Sequence, residues 1–183
     1  FRVEDLAARS AYAETAFLLL YGRLPRADEL AALEKDLAAR RTVPDFIYDS
    51  WAGWPKEAAP MDVLQASTAM LALADPQPVA ENQDAMIDKA MGLIARFPTL
   101  VAGWHRFRQG LEPLTPDTSL SHAANFLYML KGEKPDPATA RDLEVCLILH
   151  ADHTFNASTF ACREVVSTQA HMCAGVAAGV GAL

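Results

Sequence analysis

The 11 prolines of this chain fall mostly between, not within, stretches whose apolar residues recur at spacings of three and four. A proline inside a helix removes a backbone donor and clashes with the preceding turn, so this placement restricts the chain to helices joined by short breaks. Ala, Leu, Met and Glu are abundant and alternating Val/Ile/Thr is scarce, which leaves little material for strands. The expectation is an all-α fold of antiparallel packed helices, in one domain or part of one. With 183 residues, 51% apolar and 21% charged, there is enough sequence to bury a genuine core.

The segments can be placed in order. Residues 11–21 (AYAETAFLLLY) have a helical pattern that stops at Gly22, and residues 26–41 carry Leu30, Leu33 and Leu37 as one apolar stripe. Residues 45–51 fit a short helix, with Trp51 and Trp54 as packing anchors. Pro60 suits a first helical position for residues 61–74, which are apolar or small on much of their circumference. Residues 82–108 read as a long helix, kinked or divided at Pro98. Ser119 or Ser121 caps a helix ending at Gly132, and Asp136 with Pro137 opens the next. His122 and Asn125 share a face of the first of these, which permits a polar cluster, although a satisfied buried histidine is the favoured reading. Residues 157–183 turn helical again. There Gly175 and Gly179, four apart, cost helix stability and so call for the close approach of another backbone, expected to be that of a second subunit.

The formal charge of -7 disfavours nucleic acid, whose phosphate backbone is held by clustered cations. No uninterrupted apolar stretch reaches bilayer length and the first residues lack a secretory pattern, so the expected setting is the cytosol, away from any membrane. Cys146, Cys162 and Cys173 form an odd set without a C-x-x-C pair, which fits reduced core thiols better than a disulfide frame or a zinc site. Phe1 in place of an initiator methionine, and an apolar end at Leu183, have the look of a fragment.

The chemistry concentrates at residues 145–160, VCLILHADHTFNASTF, where His150, Asp152, His153 and Asn156 fall within seven positions. Three readings fit. Imidazole and carboxylate are metal ligands, but histidines three apart with no obvious third ligand make a weak metal motif. A structural reading has Asp152, Asn156 or Ser158 capping the following helix, with the histidines completing loop hydrogen bonds. A third joins histidine donors to the free amides of a helix start, to hold a small carboxylate. Spacing leaves the last two undecided.

The stretch LILHADHTFNASTF closely resembles the segment that opens a long central helix in the citrate synthase family. FLLLYGRLP, PMDVLQAS and LSHAANFLYMLKGEKPDP resemble that family too, in the same order, so the likeness runs through essentially the whole chain. It implies an all-helical enzyme with a large and a small domain, of which residues 1–183 would be part of the large one. The implied reaction joins acetyl-CoA to oxaloacetate and hydrolyses the citryl thioester, with acetyl-CoA as substrate and no cofactor or metal. By the same resemblance His153 contacts oxaloacetate, and Asn156 lines up with a family asparagine near that site. By the resemblance, the family's aspartate base and its two catalytic histidines lie downstream of this segment, the first of them in an H-G-G-A-N-like motif, so no catalytic residue is assigned within 1–183, and the segment alone is expected to be inactive.

The resemblance further implies a homodimer, through helices near residues 61–74, 82–108 and 157–183. It also leaves rivals: a 2-methylcitrate synthase using propionyl-CoA, whose turn more often has Glu where Asp152 stands, and a non-catalytic helical dimerisation module of the same fold. Two positions depart from the family pattern. Ala59 replaces a common histidine before the P-M-D motif, which puts a helix-entry hydrogen bond in doubt. Ala170-His171 replaces a common Ser-Asp pair, which puts a packing or interface contact in doubt.

Overall fold

A computed structural model describes residues 1–183 and contains ten α-helices and no strand. They are α1 (Val3–Arg9), α2 (Tyr12–Tyr21), α3 (Ala27–Ala39), α4 (Asp45–Trp51), α5 (Pro60–Met70), α6 (Gln83–Phe107), α7 (His122–Lys131), α8 (Pro137–His150), α9 (Ala157–Ser167) and α10 (Met172–Gly181). A short 3-10 turn, Leu71–Ala74, follows α5.

Local chemistry sets most of the boundaries. Gly22 and Gly132 end α2 and α7 with φ of 73° and 88°, the left-handed geometry that lacks a Cβ penalty only in glycine. Asn82, Ser121 and Asp136 each accept a hydrogen bond from a first-turn amide of α6, α7 and α8. Between the two serines expected as caps, Ser121 takes the role, receiving the Ala124 amide at 3.2 Å. Ala59 stands at the start of α5 with no side chain to offer, so that helix begins on Pro60 alone.

Helix α6 is the spine. It runs unbroken through Pro98 over 25 residues and buries both of its sides. On one side Leu93, Leu100 and Trp104 pack with Val43, Ile47, Trp51, Val63 and Leu71. On the other, Met91 and Ala95 meet Ala13, Phe17, Leu33 and Leu37. Trp51 has no exposed surface, lies edge-on to Trp104 at 5.7 Å, and donates its indole N–H to Ser67 Oγ at 3.1 Å. It is the packing anchor the sequence predicts, and Trp54 lies half-buried beside it.

Residues 157–183 depart from the sequence expectation twice. The stretch is two helices, because the chain reverses at residues 168–171, where Gln169 takes φ 68°. His171 then caps α10, its Nδ1 accepting the Ala174 amide at 3.1 Å. The reversal also corrects the expected role of the glycines. Gly175 and Gly179 face α9 of the same chain, not a second subunit. A Cβ on Gly175 would collide with Val166 and stand 3.0 Å from the Cys162 carbonyl, and one on Gly179 would lie 3.1 Å from the Ser158 carbonyl. Missing side chains let α10 press against α9, and the first turn of α9 carries the residues of interest.

Candidate functional site

The turn 151–156 joins α8 to α9, and its conformation follows from three short polar side chains. Asp152 Oδ1 accepts the Thr154 amide at 2.9 Å, an aspartate turn that bends the chain immediately after His153. Thr154 takes φ 56°, which reverses the backbone toward the new helix. Asn156 is the N-cap of α9: its Oδ1 accepts the Thr159 amide at 2.7 Å and the Ser158 hydroxyl at 2.8 Å. Of the three cap candidates in the sequence, Asn156 does the capping and Ser158 supports it.

The two histidines have separate jobs. His150, in the last turn of α8, places Nδ1 2.7 Å from the Cys146 carbonyl. A carbonyl only accepts, so this ring donates from Nδ1 and is tied back onto its own helix. His153 leans the other way, its Nδ1 lying 3.0 Å from Asn156 Nδ2, and its ring is exposed. The first amides of α9 have no partner within the helix and carry the positive end of its dipole. The turn therefore presents an exposed imidazole beside a helix N-terminus, which is a place for a small anion. No three His, Cys, Asp or Glu side chains converge on it or elsewhere.

Phe155 frames the turn. It is 58% exposed yet held in place, edge-on to Phe160 at 5.9 Å and beneath the Arg163 guanidinium at 5.0 Å. Both contacts come from α9, at positions the sequence reading passed over; their signal was an aromatic and an arginine three residues apart, on one face of the helix.

The other expected polar cluster does not form. Asn125 is buried and accepts the Asp117 amide at 2.8 Å, whereas His122 stacks on Tyr12 with ring centroids 4.9 Å apart and makes no side-chain hydrogen bond. Burial, with the Arg41 cation adding to it, pushes the His122 imidazole down to about 4. His122 and Tyr12 are the polar rim of an otherwise apolar cavity of about 480 Å³, walled by Phe97 and Pro98 of α6, Leu147 of α8 and Met172 of α10. The histidine is half-buried, not the buried and hydrogen-bonded residue expected, and a ring face accommodates it.

The family model "Citrate synthase, C-terminal domain" matches residues 1–183, the entire chain. The chain belongs to the citrate synthase family. The citrate synthase of Synechocystis is 40% identical over 182 residues, covering 100% of this chain and 46% of that protein. The 2-methylcitrate synthase of Mycobacterium tuberculosis is also 40% identical, over 185 residues, covering 100% of this chain and 46% of its own. The crystal structure of citrate synthase from Pyrobaculum aerophilum superposes with a TM-score of 0.93 at 37% identity, across 100% of this chain and 47% of that one. The all-α architecture is thus that of citrate synthases, and the chain spans about half the length of the relatives it matches.

Proposed function

We propose that residues 1–183 are part of the large domain of a citrate synthase, and that the whole polypeptide condenses acetyl-CoA with oxaloacetate and water to give citrate and CoA. The observation that carries this reading is the turn at His153: an exposed imidazole, fixed by Asn156 beside the N-terminus of α9, in a chain matched over its full length by the family model. Oxaloacetate is a dianion, and in a chain of net charge -7 it needs a local positive potential, which a helix start and a histidine donor supply. His153 contacts the substrate directly in this account, and Asn156 belongs to the same site. The remaining chemistry requires a base to take the methyl proton of acetyl-CoA and donors to stabilise the enolate and polarise the ketone. No such set is assembled around the turn within residues 1–183, so the segment by itself is expected to be inert.

A 2-methylcitrate synthase is the second reading, favoured by the 40% identity to the M. tuberculosis enzyme. Asp152, in place of the glutamate more common at that position in methylcitrate enzymes, tips the balance to acetyl-CoA. In either case the enzyme works as a homodimer, and Met61 of α5, Leu73 after it, and Met86 and Val101 of α6 are exposed apolar residues for that contact. The test is thiol release from acetyl-CoA and from propionyl-CoA with oxaloacetate, by the full-length polypeptide and by residues 1–183, with the solution mass measured on the full-length sample. Oxaloacetate-dependent release by the full-length dimer, faster with acetyl-CoA, is expected, with none from the segment. Faster release from propionyl-CoA selects the second reading, and turnover by the segment, or a monomeric enzyme, contradicts the account.

A further inference from the structure

The direction of each hydrogen bond around Asn156 carries information that its spacing does not. A backbone N–H can only donate, so the Thr159 amide, 2.7 Å from the Asn156 side chain, must face the carboxamide oxygen. The Ser158 hydroxyl donates to the same oxygen at 2.8 Å. Turning the amide over would set its NH2 against the Thr159 N–H, two donors facing each other, so the helix cap fixes which end of Asn156 points where. The end left for His153 is Nδ2, 3.0 Å from the ring Nδ1. An NH2 group can only donate, and therefore His153 Nδ1 must offer its lone pair. The single proton of the neutral ring then resides on Nε2, the nitrogen turned away from Asn156. Three residues earlier His150 is held in the opposite form, with Nδ1 donating to the Cys146 carbonyl.

We infer that Asn156 is a positioning residue that sets the tautomer of His153: the cap of α9 orients the carboxamide, and the carboxamide keeps the proton of the imidazole on Nε2 as an outward-facing donor. Folding of the helix start and preparation of the substrate contact are then one event. This goes beyond assigning Asn156 to the site, because it has Asn156 acting through His153. The benefit to an anion follows from the oxaloacetate reading above, but the tautomer itself does not depend on it. A ring free to exchange tautomers would present a lone pair to the dianion part of the time, and repel it.

Two replacements separate this role from simple capping, since serine and aspartate are both good N-caps. In full-length polypeptide with ring-15N histidine, the His153 signal, assigned by its loss in His153→Gln, is expected to show a proton on Nε2 and none on Nδ1. Asn156→Asp places an acceptor opposite Nδ1 and is expected to move the proton there. A His153 ring protonated on Nδ1 in the parent protein, or one unchanged in Asn156→Asp, overturns the inference. The kinetic arm uses Asn156→Ser, which adds no charge. It is expected to raise the KM for oxaloacetate by roughly three- to tenfold, the range of one neutral hydrogen bond, with little change in kcat. In a His153→Gln background the same replacement is expected to have no further effect, and equal effects in both backgrounds would assign Asn156 a role independent of His153 and overturn the inference. If His153→Gln leaves the KM unchanged while the 15N results stand, the oxaloacetate reading fails and the tautomer assignment survives.

Discussion

Trp51→Ala is expected to destabilise the fold by about 3–5 kcal/mol, the usual cost of emptying a large aromatic site in a packed core. The residue is fully buried at the junction of α4, α5 and α6, where its ring meets Tyr48, Trp104 and Phe107 and its N–H reaches Ser67. Deletion would both open a cavity and strip the Ser67 hydroxyl, itself without exposed surface, of its donor. Trp51→Phe keeps much of the bulk while losing the indole donor and part of the ring, so a smaller loss is expected. Both values can be read from denaturant midpoints at unchanged slope. A loss below about 1 kcal/mol for the alanine variant would mean that the core around α6 is not packed as described.

The second large effect is a dependence on pH centred on His122. Its folded-state value is pushed below the ordinary 6.5 to about 4, so between these values the unfolded chain binds a proton that the folded chain refuses. The sign is therefore fixed: stability from this group is fully present above about pH 6.5 and is lost as pH falls toward 4. A displacement of this size corresponds to roughly 3 kcal/mol over the whole window. Tyr12 of α2 is stacked on the ring, the field of the Arg41 cation acts in the same direction as burial, and Glu34, Lys35 and Glu144 line the cleft that His122 shares. In His122→Phe the stacking surface is retained and the titration removed. The melting temperature of the parent is expected to fall from pH 7 to pH 5 more steeply than that of this variant, and parallel pH profiles would contradict the assignment.

The contrast between local and distant causes explains which of these features can be read from the sequence. Helix limits at Gly22, Gly132, Asn82, Ser121 and Pro137 are legible because the residue that ends or starts each helix does so through its own backbone or side chain. The break between α9 and α10 is not. No proline or glycine stands at residues 168–171, and Gln169 takes its left-handed conformation where α10 folds back over α9. Glycine spacing likewise announces a close neighbour for Gly175 and Gly179 without saying whose backbone it is. His122 and Asn125 share a helical period, but their partners, Tyr12 and the Asp117 amide, lie elsewhere in the chain and differ.

The turn at His153 is an intermediate case. Its residues stand out by density alone, and spacing admits both a helix cap and an anion site. The structure makes these compatible: the oxygen of Asn156 serves the cap while its nitrogen serves the histidine. Choice of substrate comes from the family, which spacing does not encode.

The most direct test of the central claim is the affinity of the full-length enzyme for oxaloacetate when His153 is replaced by alanine. Loss of a hydrogen bond to a charged group, about 1.5–3 kcal/mol, predicts a rise in the KM for oxaloacetate of roughly ten- to 150-fold, with the KM for the acyl-CoA changed far less. An oxaloacetate KM equal to that of the parent enzyme would contradict the account.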